Sequence, residues 1–450
     1  GVQTCALPIY IINFLQGTAM TKNKFIHPSD QIVAFMKRIY DYGMTTTSGG
    51  NLSIMDSDGN MWISPSGVDK GTLRREDIMC VKPDGAIVGP HRPSVEYPFH
   101  RAVYKLRPDV KAVLHAHPPA LVSFSVAGVT PDTSATSTSA GVCGSVGFAG
   151  YDVPGSDGLG ELVSAEFAKG HNTTLLRNHG ACVVGKTMDE AFRRIETLDF
   201  CARMLAHAVT LGKPQSIPAN QLADLFTDRN KEFSEFTPEC PSSDELEQRR
   251  KMAQMARRSY DQFLFTSADG TIAVRLGPDS FLVTPAGADR ATLEPADMVL
   301  VKGTRYEAGK ALTPTAWFIK ALFDAQPELN AMIIANPPCL AAYGIANAKF
   351  DPRVIPESYI MLREMPEFPF TATTQDTANL LKTLSPRYPI VRIRQQAVIS
   401  TGKSVLEAFD RLEVAEYSAK ATLMAGPLGG MTPMNEQEVA DVVKAFKLLP

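Results

Sequence analysis

Residues 112–119 read AVLHAHPP, and this stretch decides how the rest of the chain is interpreted. A short apolar run ends in two histidines, His115 and His117, and two prolines then terminate it. In an extended strand, residues i and i+2 point to the same face, so the two imidazoles would lie side by side. Paired imidazoles are typical ligands of a divalent metal such as zinc. The alternative is a strand end at which each histidine is hydrogen-bonded to its neighbours.

A third histidine stands at the end of another predicted strand. Residues 172–177 read as a strand that runs into Asn178, His179 and Gly180. The glycine lets the backbone turn directly after the histidine. His179 is therefore a third candidate ligand beside His115 and His117.

Loops of small, hydroxylated and glycine residues precede the histidine strand. Residues 45–54, TTTSGGNLSI, lead from such a loop into a strand, and residues 62–67, WISPSG, repeat the pattern. Loops of this kind expose backbone N–H groups and can bind an anion. The alternative is a pair of ordinary tight turns.

Residues 93–100, PSVEYPFH, are predicted to open a helix that continues through residue 106, with Ser94 as its cap. Glu96 stands in the expected first turn, where a carboxylate is often only a partner of the helix dipole. His100, one turn later, is expected to be a partly buried structural histidine.

Composition and charge limit the classes of function. A chain of 450 residues predicts two or three domains, and its net charge of -3 argues against nucleic acid or an anionic membrane as an obligate partner. No apolar run approaches the roughly 20 residues that a membrane-spanning helix needs. Seven cysteines without a CxxC pair favour reduced thiols, so a cytoplasmic location is expected.

The first 19 residues, GVQTCALPIYIINFLQGTA, have no basic segment before their apolar run, which argues against a signal peptide. We predict that residues 1–19 are a non-native or disordered leader and that the native chain starts at Met20.

The second half of the chain repeats the first. Residues 99–119, FHRAVYKLRPDVKAVLHAHPP, match residues 318–338, FIKALFDAQPELNAMIIANPP. Such a repeat indicates a duplicated domain of about 200 residues. We predict one domain over residues 20–238, a linker over residues 239–246 and a second domain over residues 247–450.

The second copy has lost the candidate chemistry. Ile334, Asn336, Gln396 and Thr315 stand in the positions of His115, His117, His179 and Glu96 respectively. The pattern favours one active copy and one degenerate copy, which is predicted to bind no metal and to serve assembly. The alternative is a silent stabilising domain.

The first copy resembles the class II aldolase/adducin family through SGGNLS, SPSG, PSVEYPFH, VLHAHPP, YDVPGS and LLRNHGACVVG, spread over residues 27–214. The resemblance implies an α/β fold with two tandem α/β/α sandwich domains, each around a mostly antiparallel sheet. It also implies a zinc ion held by His115, His117 and His179, with Glu96 as the acid/base. The positions implied to hold a substrate phosphate are Asn51, Ser66, Gly67 and Ser94.

The resemblance implies a lyase that cleaves a carbon–carbon bond in a small ketose phosphate or hydroxy-ketone through an enediolate. A three-histidine zinc has open positions for substrate oxygens, and a nearby carboxylate moves protons. The same residue types suit an epimerase, a dehydratase or a decarboxylase, and a non-catalytic adducin-like interaction module is the alternative from another class. Val95 stands where the family's sugar aldolases usually have a second serine.

The resemblance further implies cyclic tetramers with active sites at subunit boundaries. A tandem chain supplies two positions of such a ring, so a homo-oligomer made as a dimer of tandem chains is expected. Tyr359 and Tyr417 of the second copy are candidate proton donors to a neighbouring site.

Overall fold

The computed structural model describes residues 26–448 of the chain. The predicted leader over residues 1–19 and the predicted start at Met20 lie outside the described residues. None of the helices within residues 26–448 combines the length and the apolar character that crossing a bilayer requires.

Helices and strands alternate along both halves of the chain. The helices are α1 (Pro28–Asp41), α2 (Tyr97–Leu106), α3 (Pro119–Ala127), α4 (Ser137–Cys143), α5 (Asp157–Ala168), α6 (Met188–Leu211), α7 (Ala219–Leu225), α8 (Ser243–Asp261), α9 (Ala316–Ala325), α10 (Pro338–Ile345), α11 (Pro356–Leu362), α12 (Ala372–Gln375), α13 (Thr377–Thr383), α14 (Val405–Ala425) and α15 (Glu436–Ala445).

The strands form two separate sheets. They are β1 (Asn51–Met55), β2 (Met61–Ile63), β3 (Met79–Val81), β4 (Ile87–Val88), β5 (Ala112–Ala116), β6 (Val146–Ala149), β7 (Thr173–Leu176), β8 (Gly180–Gly185), β9 (Ser234–Phe236), β10 (Thr271–Gly277), β11 (Ser280–Val283), β12 (Val299–Lys302), β13 (Arg305–Glu307), β14 (Ala331–Ala335), β15 (Glu367–Phe368), β16 (Ile390–Ile393) and β17 (Ala397–Gly402).

Packing divides the described chain into two compact units. The first unit, the histidine unit, contains the described residues of 20–133 together with residues 142–202. The second, the repeat unit, contains residues 134–141 together with the described residues from 203 onward. These units describe packing, and the domain limits predicted from the sequence stay a prediction.

The sheet of the histidine unit has eight strands in the order β4-β3-β2-β1-β5-β8-β7-β6. Neighbouring strands are antiparallel except for β6 and β7, which are parallel. Helices α1, α3 and α6 pack on one face, and helices α2 and α5 pack on the other. The predicted α/β/α arrangement around a mostly antiparallel sheet is confirmed.

Alternation along the central strands assigns each side chain to a face. On β5, Leu114 belongs to the core beneath α1 and α6, whereas Val113 belongs to the core beneath α2 and α5. His115 therefore shares the face of Val113, because residues two apart in a strand point the same way. On β1, Leu52 lies in the first core, which turns Asn51 and Ser53 toward the α2 face.

The repeat unit has a nine-stranded sheet in the order β15-β16-β17-β14-β10-β11-β12-β13-β9. Its central run is antiparallel, and both edge pairs, β15 with β16 and β13 with β9, are parallel. Strand β14 occupies the place that β5 has in the other sheet, between β10 and β17. The repeat seen in the sequence is thus a repeat of strand order.

The start of α2 differs from the sequence prediction, and a histidine caps the start of α1. Helix α1 begins at Pro28, and the cap is His27, whose side chain accepts a hydrogen bond from the Ser29 N–H. Helix α2 begins at Tyr97, so Ser94 is not its cap and Glu96 is the residue that precedes the first turn. The side chain of Glu96 makes no capping hydrogen bond, which leaves its carboxylate available elsewhere.

Candidate active site

Strand pairing positions the first two histidines. His115 is the fourth residue of β5 and pairs with Asn51 of β1 on one side and Cys182 of β8 on the other. His117 follows the end of β5, and its backbone N–H donates to the Met44 carbonyl at 2.9 Å. Both imidazoles consequently lie at the edge of the α2 face.

The third histidine is held by the tight turn between β7 and β8. Asn178 adopts a left-handed conformation with φ of 54°, which asparagine tolerates better than most residues. The His179 N–H donates to the Leu176 carbonyl and to Ser125 Oγ, each at 3.1 Å. This turn brings His179 back toward the end of β5.

The three imidazoles converge on one point. His117 Nε2 lies 2.9 Å from His115 Nε2, and ring centroids are 4.7 Å apart between His115 and His179. One possible ligand atom from each ring lies within 4.8 Å of the others. Among residues 26–448, this is the group of His, Cys, Asp and Glu side chains arranged so that it could hold a metal ion.

The protonation states of His115 and His117 suit metal binding better than a cluster held only by hydrogen bonds. The Ala181 carbonyl can only accept a hydrogen bond, so His115 Nδ1, 2.9 Å away, carries the proton and Nε2 is left with its lone pair. Burial, together with the neighbouring imidazoles, lowers the pKa of His115 and of His117 to about 3. Both side chains are therefore neutral at pH 7, which is the form that ligates metal.

Glu96 faces the same point from the start of α2. One carboxylate oxygen, Oε2, lies 3.3 Å from His115 Nε2, and the other, Oε1, lies 3.2 Å from His179 Nε2. Glu96 is buried, and its Oε1 has no hydrogen-bond partner among the described residues. Unprotonated ring nitrogen and carboxylate oxygen repel each other at this range unless a cation lies between them. The residues present therefore fit a divalent metal.

A buried chain of hydrogen bonds orients Glu96. Tyr104 and Ser53 lie 2.8 Å apart through their hydroxyls, and Ser53 Oγ is 2.7 Å from His100 Nδ1. His100 Nε2 is 2.5 Å from Asn51 Oδ1, and Asn51 Nδ2 donates to Glu96 Oε2 at 2.6 Å. Because the carboxylate end only accepts, Asn51, His100 and Ser53 each donate toward Glu96, while the Tyr104 hydroxyl also donates to the Ser53 carbonyl at 3.0 Å. The chain thereby fixes which way the Asn51 amide points.

Two glycines make room for His117. A Cβ atom at Gly49 would lie 2.7 Å from His117 Nδ1, and one at Gly180 would lie 2.5 Å from His117 Cδ2. Real Cβ atoms essentially never approach other atoms this closely, so both positions must lack a side chain while His117 keeps its place.

The residues predicted to hold a phosphate lie on adjoining loops. Ser94 N–H donates to the Ser64 carbonyl, and Ser66 N–H donates to the Arg92 carbonyl, which joins the two loops side by side. Ser94 is buried and accepts from the Glu96 N–H at 3.3 Å, whereas Gly67 is exposed with φ of 71°. Asn51 is engaged with Glu96 and His100 instead of pointing alone into a loop.

Sequence reasoning missed the chain of hydrogen bonds behind Glu96 and the two close-packed glycines. A signal for the chain was present, because Asn51 and Ser53 alternate with apolar residues and His100 lies one helical turn after Glu96. In the repeat unit the corresponding four positions, for Asn51, Ser53, His100 and Tyr104, hold Thr271, Ala273, Ile319 and Phe323. The ligands and their support were lost together.

Comparison with known proteins agrees with this fold. The family model described as "Class II Aldolase and Adducin N-terminal domain" matches residues 30–206 and again residues 250–423. The two matches cover more than half of the chain. The chain therefore belongs to the class II aldolase/adducin family and carries two copies of its domain.

Several characterised relatives match about one copy of the domain. A 5-deoxy-D-ribulose 1-phosphate aldolase of Bacillus thuringiensis serovar kurstaki is 30% identical over 199 residues, which are 44% of this chain and 92% of the relative. A 5-methylthioribulose-1-phosphate/5-deoxyribulose-1-phosphate aldolase of Rhodospirillum rubrum is 26% identical over 41% of this chain and 83% of its own. A 3-oxo-tetronate 4-phosphate decarboxylase of Pectobacterium atrosepticum is 32% identical over 43% of this chain and 90% of its own. The chain is an enzyme of the class II aldolase type, and the reaction subclass stays open between these relatives.

The burial of His100 predicts a pH-dependent stability. Burial lowers the pKa of His100 to about 3, well below the usual 6.5. Between these two values the unfolded chain binds a proton that the folded chain does not, so His100 makes stability fall as pH falls, by about 1.4 kcal/mol per pH unit. His100→Gln should remove this contribution.

Urea unfolding of the metal-stripped chain at about pH 6 and about pH 4.5 measures the difference, which should be roughly 2 kcal/mol smaller in His100→Gln than in wild type. Tyr104→Phe is the matched control, because it breaks the same hydrogen-bond chain and keeps the histidine. Equal pH dependence in His100→Gln and wild type would show that His100 titrates normally in the folded chain.

Proposed function

We propose that the histidine unit is a divalent-metal-dependent lyase that cleaves a carbon–carbon bond in a small ketose phosphate or hydroxy-ketone. The observation that carries the proposal is the convergence of three imidazoles on a buried carboxylate that has one unpartnered oxygen. Zinc is the metal we expect, because three histidine ligands and open positions are typical of catalytic zinc. We expect His115, His117 and His179 to be its ligands.

When bound, the metal would act as a Lewis acid and neutralise the negative charge of an enediolate. Cleavage requires that a substrate hydroxyl loses its proton, that the adjacent carbon–carbon bond breaks and that the enediolate carbon regains a proton. We assign the proton transfer to Glu96. Since Asn51 donates to Oε2, the unpartnered Oε1 is the atom that would carry the proton.

The substrate's phosphate would bind at the loops beside Glu96. Ser66 and Ser94 offer hydroxyl donors and Gly67 offers a backbone N–H, which suit an anion. The aldolases among the relatives act on deoxyribulose 1-phosphates, which supports a phosphorylated ketose. The decarboxylase relative at 32% identity favours loss of CO2 from a phosphorylated 3-oxo acid as the second candidate. An enediolate-like intermediate serves both reactions.

Metal content and activity test the proposal together. The purified full chain should contain about one divalent metal ion, and His117→Ala should lose both the metal and turnover. His91→Ala is the control, because His91 pairs with Asp77 outside the cluster. The assay should include ketose 1-phosphates with aldehyde detection and a phosphorylated 3-oxo acid with CO2 detection. Full turnover in metal-stripped wild type would refute the metal-dependent mechanism.

Glu96→Gln separates proton transfer from metal binding. The amide has nearly the same shape but does not exchange a proton, so turnover should fall by at least about 10²-fold while metal content is retained. Metal analysis and steady-state kinetics on the same preparation measure both quantities. Turnover at the wild-type rate would assign the acid/base role to another group.

We also propose that two tandem chains associate and complete each other's sites. An exposed apolar patch lies next to Glu96, made by Val95, Tyr151 and Val153, and Gly155 packs closely against the Val95 carbonyl. Patches of this kind beside a site often contact a neighbouring subunit. The occupant we propose is the repeat unit of a second chain.

Tyr359 is the proposed contribution of that second chain. In the repeat unit, helix α4 lies beside the positions that correspond to the histidine cluster, since Thr138 Oγ1 donates to Asp269 and the Ser137 N–H donates to the Gln395 carbonyl. Helix α11, which carries Tyr359, has the same place in the strand order of the second copy as α4 has in the first. In a dimer, α11 of one chain would therefore approach the histidine cluster of the other.

The mass of the chain in solution should be near twice 48.9 kDa by light scattering. Tyr359→Phe should lower turnover by at least about 10-fold and leave mass and metal content unchanged. Tyr417→Phe tests the second candidate, which is exposed on α14, and a fall in turnover in that variant alone would assign the role to Tyr417. A fully active monomer would exclude this contribution of the second copy.

A further inference from the structure

The position that corresponds to the histidine cluster is a cavity in the repeat unit. Its volume is about 210 Å³, which is room for about seven water molecules at ~30 Å³ each. Its walls include Thr315, Ile334, Asn336 and Gln396, the four residues that replace Glu96 and the three histidines. All of the lining residues belong to the repeat unit.

The cavity wall is largely apolar. Aromatic and aliphatic side chains from several elements form it: Phe226, Trp317, Phe318, Ile334, Ile393 and Ile399. Ile334 is half-buried, whereas its counterpart His115 is fully buried, so the exchange left a wall facing open space.

Two charged side chains line the cavity, and they are not equivalent. Asp269 is satisfied, because one of its oxygens accepts from the Gly270 N–H and the other from Thr138 Oγ1 and Asn336 Nδ2. Arg229 donates a single hydrogen bond, to the Thr373 carbonyl at 3.2 Å, and its guanidinium lies 5.2 Å from the centre of the Trp317 ring. Within residues 26–448, no carboxylate forms an ion pair with Arg229. Arg229 is thus the one cationic side chain in the lining and lies at an aromatic wall, while hydrogen bonds from neutral donors occupy both oxygens of Asp269.

We propose that this cavity binds a small organic carboxylate with an apolar body, such as an aromatic or branched-chain acid. The planar guanidinium of Arg229 matches a carboxylate in a two-pronged ion pair, and the apolar body fits against the isoleucines and phenylalanines. A drug-sized pocket has 300–1,000 Å³, so the ligand belongs to the smaller metabolites.

A sugar phosphate fits this cavity less well. The position of Ser66, expected to contact phosphate in the first copy, holds Ala286 in the second. The residue that replaces His115 in the lining is Ile334, which offers no hydrogen bond to a sugar hydroxyl. The lining in the second copy thus lacks the histidines and the Ser66 hydroxyl, and it presents one arginine and one hydrogen-bonded carboxylate beside an apolar surface. This inference is independent of the reaction proposed for the histidine unit.

Isothermal titration of the full-length chain with benzoate and with phenylacetate tests the proposal, with benzamide as the uncharged analogue and inorganic phosphate as the other anion. At least one of the two carboxylates should bind with a Kd of about 1 mM or tighter, and benzamide should bind at least about 10-fold more weakly. Arg229→Met keeps the apolar stem and should weaken carboxylate binding at least about 10-fold, while Arg229→Lys should retain part of it.

Arg305→Met is the matched control, because Arg305 is exposed in the same unit and lies against Phe236, away from the cavity lining. Ile334→Phe, which fills the cavity, should abolish binding in a chain whose thermal unfolding is otherwise cooperative. Failure of both carboxylates to bind, equal binding by Arg229→Met and wild type, equal binding of benzamide, or competition by inorganic phosphate would each overturn the proposal.

Discussion

The pairing of β5 between β1 and β8 is the constraint on which the rest of the histidine unit depends. The register sets Asn51 opposite His115, and His115 opposite Cys182. A slip of one residue would turn every side chain of β5 to the other face, and the imidazole would enter the core beneath α1 and α6. The apolar residues that alternate with the histidines hold this register, because Leu114 and Ala116 are fully buried on the opposite face. The packing of one face thereby fixes the chemistry of the other.

This register also places the buried polar side chains of β1 opposite those of α2. Asn51 and Ser53 of β1 meet His100 and Tyr104 of α2, and the resulting chain of hydrogen bonds ends on Glu96. Buried polar groups are costly unless each finds a partner, so such a chain is kept or lost as a whole. The second copy illustrates the loss, because all four supporting positions became less polar along with the ligands. What remained is the framework and a cavity with a different lining.

The sequence predicts the strands and helices around the site well, because the apolar periodicity, the glycines and the prolines mark where each element ends. The positions of the histidines at two strand ends and the duplication of the domain were predicted from the same signals. The start of α2 was predicted wrongly, because Ser94 has the residue type of a helix cap. Only the tertiary structure shows that its hydroxyl accepts a hydrogen bond from the Glu96 N–H. The sequence also did not predict the chain of hydrogen bonds behind Glu96. Asn51 is 45 residues from Glu96 and 49 residues from His100 in the sequence. Contacts over such distances depend on sheet register, which local patterns do not specify.

The absence of a side chain at Gly49 and Gly180 has a consequence for the history of the duplicated copy. The corresponding residues of the repeat unit are Asp269 and Ala397, and both carry a Cβ where His117 leaves no room for one. Restoring the cluster in the repeat unit would need histidine at positions 334, 336 and 396. The imidazole at position 336 would meet a Cβ atom at Asp269 and another at Ala397, so this change alone would not restore a metal ligand. The second copy is committed to whatever role its cavity and surfaces now serve, even though its backbone still follows that of an enzyme.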